Sequence, residues 1–177
     1  MRARSRCLVL ALATIALASA CGGGDKSWKG YNADREGFDA AALEVAAAYA
    51  ERLVEAGLTC ENYGPLAFGY VSSQYLPAGI PLPLGSGSCV GDNEEDIEID
   101  TFSTDDDPTG QDFVDTLRDE VCGRAKENGS LDDPEFSLPN VLSDDGTVVI
   151  RPDTVETAEK IAAAIGGNGG DLCEGFE

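Results

Sequence analysis

The chain contains no histidine, and its lysines are Lys26, Lys29, Lys126 and Lys160 alone. That removes most nucleophile chemistry. Ser-His and Cys-His pairs need an imidazole base, and no S-x-x-K pattern puts a lysine in its place. No G-x-x-x-x-G-K-[ST] loop occurs, nor a G-x-G-x-x-G after a strand; Gly85-Ser86-Gly87-Ser88 reads as a flexible lead-in. Carboxylates and thiols remain. Paired carboxylates can do acid–base work, but among 33 acids such pairs arise by chance. Asp105, Asp107, Thr109 and Gly110 fall at positions one, three, five and six of an EF-hand loop. Position twelve is Thr116, so the bidentate glutamate is missing, and Pro108 is out of place. The stretch is expected to be a turn whose acids cap a helix. No catalytic residue, metal site or cofactor is assigned.

The thiols are more telling. Arg2, Arg4 and Arg6 precede an apolar run from Cys7 to Leu17, and Ala18-Ser19-Ala20 lead into Cys21. A basic start, a short apolar stretch and small residues describe a secretory signal peptide, and the run is too short for a span of ~20 residues. A cysteine directly after small residues resembles the lipobox of bacterial lipoproteins, although Ala18 stands where that family has Leu, Val or Ile. The resemblance implies cleavage before Cys21 and a diacylglyceryl group on its sulfur. It implies a signal peptide over 1–20 and anchoring to the outer face of the cell membrane through Cys21; composition then predicts a flexible tether over 21–37. That tether is rich in Gly, Asp, Lys and Asn and has Trp28 and Tyr31 as its large side chains.

Of six cysteines, Cys7 then leaves with the signal and Cys21 takes the lipid. Cys60, Cys89, Cys122 and Cys173 remain in an oxidising compartment, an even number that reads as two disulfides with three possible pairings. Close C-x2-C spacings, which a zinc site would use, are absent.

The net charge is −21, and loss of residues 1–20 with their three arginines takes it to −24. Such a surface repels nucleic acid and anionic headgroups, favours solubility and opposes compaction. At 42% hydrophobic residues, 38–177 suffices for one core, and a monomer is expected.

A helix is expected from Asp39 to Ala56. Asp39 is the N-cap, with Phe38 and Leu43 as a staple, and Gly57-Leu58 the stop. Its stripe is Leu43, Ala46, Ala47, Ala50, Leu53 and Val54. The proline-rich stretch after Cys60 is expected to be extended, with a short strand over Phe68–Val71. Hairpins follow at 86–90/96–102 and 140–143/147–151, the second turning on Asp144-Asp145-Gly146. Alternation of Ile97 and Ile99 with Glu98 and Asp100 predicts a half-exposed strand. Between the hairpins lies a helix from Pro108 to Cys122, capped by Asp107 and stopped by Gly123. A last helix spans Thr154–Ile165, with Asp153 and Glu156 as capping box.

The order α–β–β–α–β–β–α predicts an α+β fold, an antiparallel sheet of two hairpins with helices on one face. It also favours pairing Cys60 with Cys89 and Cys122 with Cys173, because each bond then closes a neighbouring loop. Leu53…Gly57-Leu58-x-Cys60, Gly87-Ser88-Cys89 and the acidic strand ending at Phe102 resemble small actinobacterial lipoproteins of uncharacterised function. That resemblance implies the Cys60–Cys89 bond and no known activity. The functional expectation is a non-catalytic, lipid-anchored envelope domain that binds a protein or envelope partner. The loop of Tyr75, Leu76, Ile80, Leu82 and Leu84 is its candidate surface. The alternative is a lipoprotein that senses a small ligand or a divalent cation.

Overall fold

Asp39 starts the first helix, α1 (Ala40–Glu55), by accepting the N–H groups of Ala41 and Ala42 on Oδ1. Its far end closes with Gly57 at φ +84°, a conformation costly to any residue with a Cβ, and Leu58 N–H donating to the Leu53 carbonyl. The computed structural model describes residues 37–102, 110–133 and 136–176, all within one compact unit, Asn32–Glu177.

The elements after α1 are β1 (Glu61–Pro65), α2 (Phe68–Tyr75) with a 3-10 turn at Leu76–Ala78, β2 (Gly85–Val90) and β3 (Asp96–Thr101). Then come α3 (Gly110–Asn128), β4 (Pro139–Ser143), β5 (Val148–Pro152), α4 (Val155–Ile165) and β6 (Gly167–Asp171). The six strands form one antiparallel sheet in the order β1-β2-β3-β5-β4-β6. The fold is α+β, with both expected hairpins at its centre. Cys60–Cys89 and Cys122–Cys173 are its two disulfides, with Cα separations of 5.2 and 5.5 Å.

Side chains alternate across a strand, so the sheet has two distinct faces. On one, Ile97, Ile99, Val141, Val148 and Ile150 meet Ala46, Ala50 and Leu53 of α1 and Ala158, Ile161 and Ile165 of α4 in the main core. Arg52 ties the two helices together by donating to the Ile165 carbonyl. The opposite face carries Glu98, Asp100 and Arg151, and α2 and α3 cover it: Arg151 lies over the rings of Tyr75 and Phe113, and Phe113 packs on Phe102. Helices therefore lie on both faces of the sheet, α1 and α4 on one and α2 and α3 on the other, where helices on a single face were expected.

Several local expectations need correction. Phe68–Val71 is the start of helix α2, because Val71 and Tyr75, four residues apart, point into the core. In α1 the buried stripe includes Tyr49 and ends at Leu53, while Val54 is exposed. Helix α3 runs through Gly123 to Asn128, since nothing crowds that glycine and Cys122 and Ala125 continue the buried stripe. The cap of α4 is Thr154, whose hydroxyl accepts from Thr157 N–H; Asp153 instead accepts from Asp96 N–H of β3. Asp100 is fully buried, so β3 is half-exposed only toward Asp96 and Glu98.

Candidate functional site

The chemically most perturbed groups lie under α2 and α3. Cross-strand pairing sets Glu98 of β3 beside Arg151 of β5, with Asp100 one pleat along. Arg151 Nη2 is 2.8 Å from both Glu98 Oε1 and Asp100 Oδ2, and its Nε also donates to Asp100 Oδ2 at 3.2 Å. The Ser86 hydroxyl reaches Glu98 Oε1 at 3.5 Å. Burial, then the charge of Asp100, pushes the Glu98 carboxyl up from 4.5 to about 7. The same two causes, burial first, raise the phenol of Tyr75 here, and that of Tyr63 on the main-core side of the sheet, far above their ordinary range. Burial opposes the charge on Arg151, but the two carboxylates outweigh it and hold the guanidinium charged. Tyr75 Oη and Asp100 Oδ1 are buried without a hydrogen-bond partner.

Glu98, Asp100 and Arg151 line none of three surface clefts formed by the described residues. The first, about 430 Å³, lies between Gln111, Asp115 and Arg118 of α3, Asn140 and Leu142 of β4, and β6 with the tail to Glu174. Two of its buried donors lack a partner. Asn140 is 6% exposed with its Nδ2 unpartnered, and Arg118 Nε is likewise buried and unpartnered. Arg118 Nη2 donates to the Glu174 carbonyl at 3.4 Å, and its guanidinium faces the Phe176 ring. Gln111 is engaged with Asp115, and Asp171 accepts from Leu138 and Cys173 N–H. Beside this cleft, Asn168 and Gly169 of β6 are exposed at the end of the sheet order.

The second cleft, about 400 Å³, is rimmed by Asp92, Glu94, Glu95, Asp153 and Glu156 with Lys160. Most of these acids brace the fold. Glu95 accepts from Thr154 N–H and the Thr157 hydroxyl, Asp92 from the Thr59 hydroxyl, and Glu156 pairs with Lys160. Among the described residues, no three His, Cys, Asp or Glu side chains converge as metal ligands.

The third cleft, about 460 Å³, is apolar. Phe38, Phe68, Leu82, Pro83 and Leu84 line it with Gly37 and Asp39, and Phe38 meets Phe68 edge to face. The expected interaction loop is split by the structure. Tyr75 and Ile80 are in the core, Leu82 and Leu84 are half-buried in this cleft, and Leu76 is 61% exposed. Cys21 lies outside the described residues, as do Asp105, Asp107, Pro108 and Thr109; Gly110 begins α3 and donates its N–H to the Gly146 carbonyl.

Sequence reasoning did not find the Glu98–Asp100–Arg151 cluster. Its one signal was Arg151, a lone cation in an apolar strand. Compared with known proteins, the chain matches no family model, no curated protein and no solved structure.

Proposed function

We propose that this chain is a non-catalytic, lipid-anchored binding domain of the cell envelope, working through contacts with a protein partner. The anchoring half of the reading rests on Arg2 to Cys21 and is consistent with two disulfides, which persist in an oxidising compartment. The observation that carries the binding half is the open cleft between α3 and β6, where buried donors on Arg118 and Asn140 lack partners. Leaving such groups unpaired costs stability, and an acceptor on a bound polypeptide relieves it. An exposed edge strand beside them offers main-chain pairing. The carboxylates that could do acid–base work are instead tied to Arg151 under two aromatic rings. A general acid or base must reach its substrate.

A photo-cross-linking residue at Asn168, with one at the exposed Glu44 of α1 as control, tests this in intact envelopes. Adducts are expected at position 168 only, and Arg118→Ala should reduce them. Equal labelling at both positions defeats the cleft as the binding surface. Anchoring is read separately: Cys21→Ser should leave the protein unlipidated and out of the membrane fraction. Wild-type membrane retention of a correctly cleaved variant defeats that half.

A further inference from the structure

Residues 62–91 contain no Asp, Glu, Lys or Arg, although the chain is 25% charged, which would place about seven in a stretch of that length. The segment forms most of β1, all of α2 and β2, and the proline-rich connection between them. Within α2, Val71 and Tyr75 turn inward, while Gly69, Tyr70 and Ser73, with Leu76 just beyond, lie on the outer side. Tyr70 is 54% exposed. With Leu76, it gives α2 and the turn after it two of the five large exposed apolar side chains among the described residues, while Val90 lies apart, paired between Glu61 and Asp96. The apolar cleft of Phe38, Phe68, Leu82, Pro83 and Leu84 continues the same uncharged surface. The one charged residue in its lining, Asp39, has Oδ1 engaged by two helix N–H groups.

We propose that this face is the membrane-docking side of the domain, with Tyr70 and Leu76 entering the headgroup region and the Phe68–Leu82 cleft behind them. The proposal rests on the lipid-anchored reading above. Three features select a bilayer as the occupant. A mature surface of net charge −24 is repelled by a second copy of itself and by anionic lipid, so the uncharged face is the one that approaches a membrane at least cost. The cleft includes Gly37, sixteen residues on from Cys21, a chain length that reaches at most about 55 Å. An exposed tyrosine suits the wet edge of an apolar layer. Two side chains bind a bilayer weakly by themselves, but tethering through Cys21 makes the contact intramolecular in effect.

The test uses the lipidated mature protein on phosphatidylcholine vesicles, with flotation and hydrogen exchange read together. Amides of residues 68–80 should exchange at least threefold more slowly on vesicles than in the unlipidated Cys21→Ser protein, while α4 is unchanged. Tyr70→Ser with Leu76→Ser should abolish that protection and leave flotation intact. Flotation with no protection of 68–80 overturns the docking face. Failure to float overturns the anchor instead. In that case, partition of the unlipidated protein at millimolar phosphatidylcholine should still fall at least threefold in the double variant, and no fall overturns the proposal. Self-association without vesicles that the double variant removes assigns the face to a second copy and overturns it too.

Discussion

Arg151 donates from both Nε and Nη2 to a single oxygen of Asp100, Oδ2, and leaves Oδ1 buried with no partner. The pair thus forgoes the two-oxygen fork that arginine makes best, because Nη2 is shared with Glu98. Taking charges from water is costly, and their attraction repays it only where the remaining groups are satisfied. Arg151→Met should destabilise the domain by about 3–5 kcal/mol, since two carboxylates are then buried uncompensated. Adding Asp100→Leu and Glu98→Gln should restore most of that loss. Urea midpoints check both; a loss below about 1 kcal/mol for Arg151→Met alone means the cluster is effectively solvated.

Glu98 gives this cluster a pH signature. Its folded pKa, about 7, lies above its ordinary 4.5, so the folded state binds the extra proton between those values. Stability from this group is fully present below about 4.5 and is lost as pH rises through about 7, by at most about 3 kcal/mol. The acidic surface acts in the same direction through self-repulsion, but salt screens it. A melting temperature higher at pH ~5 than at pH ~8 is therefore expected, with a part that persists in high salt and disappears in Glu98→Gln. An unchanged slope in that variant at high salt removes Glu98 as the cause.

The elements legible in the sequence are those whose side chains carry the signal. Asp39 and Gly57 bracket α1, and the Asp144-Asp145-Gly146 turn sets the second hairpin; there the Ser143 hydroxyl and the Thr147 N–H and hydroxyl all donate to Asp145 Oδ1. Strand β6 was illegible because Gly167-Asn168-Gly169-Gly170-Asp171 has no alternation; β4 supplies its pairing through the backbone. Strand β1 has a register shift between Glu61 and Gly64 that breaks any period-2 pattern. The first cleft depends on β6, so it was hidden with it. Asp100 looked solvent-facing because alternation assumes one wet face, whereas α2 and α3 cover this one.

Backbone proximity at Gly85 makes a third test. Strand β2 runs so close beneath α1 that a Cβ at Gly85 would stand 2.7 Å from the Ala42 carbonyl carbon and 2.8 Å from the Leu43 nitrogen. A helix backbone cannot yield as a flexible side chain does. Gly85→Ala should cost about 1–3 kcal/mol as an overpacked contact. Gly64→Ala on the edge strand, with nothing within 4 Å, should be near neutral. Equal urea midpoints for the two variants would show that α1 sits farther from the sheet.

The disulfides differ in what they hold, and their removal should separate the two layers. Cys60–Cys89 joins the residue before β1 to β2 inside the main core and closes 29 residues. Cys122–Cys173 joins α3 to the turn after β6 and closes 51 residues. Loop-closure entropy assigns roughly 3.6 and 4.1 kcal/mol to them, similar global losses that an unfolding midpoint scarcely distinguishes. Local exchange does. Without Cys122–Cys173, the tail beyond Asp171 is held to α3 mainly by Arg118, through the Glu174 carbonyl and the Phe176 ring. Cys122→Ala with Cys173→Ala should therefore speed amide exchange over 167–176 and widen the first cleft, with α1 unaffected. Cys60→Ala with Cys89→Ala should instead loosen β1 and the end of α1. Exchange that rises uniformly over the whole domain in both variants would show that the two layers unfold as one unit.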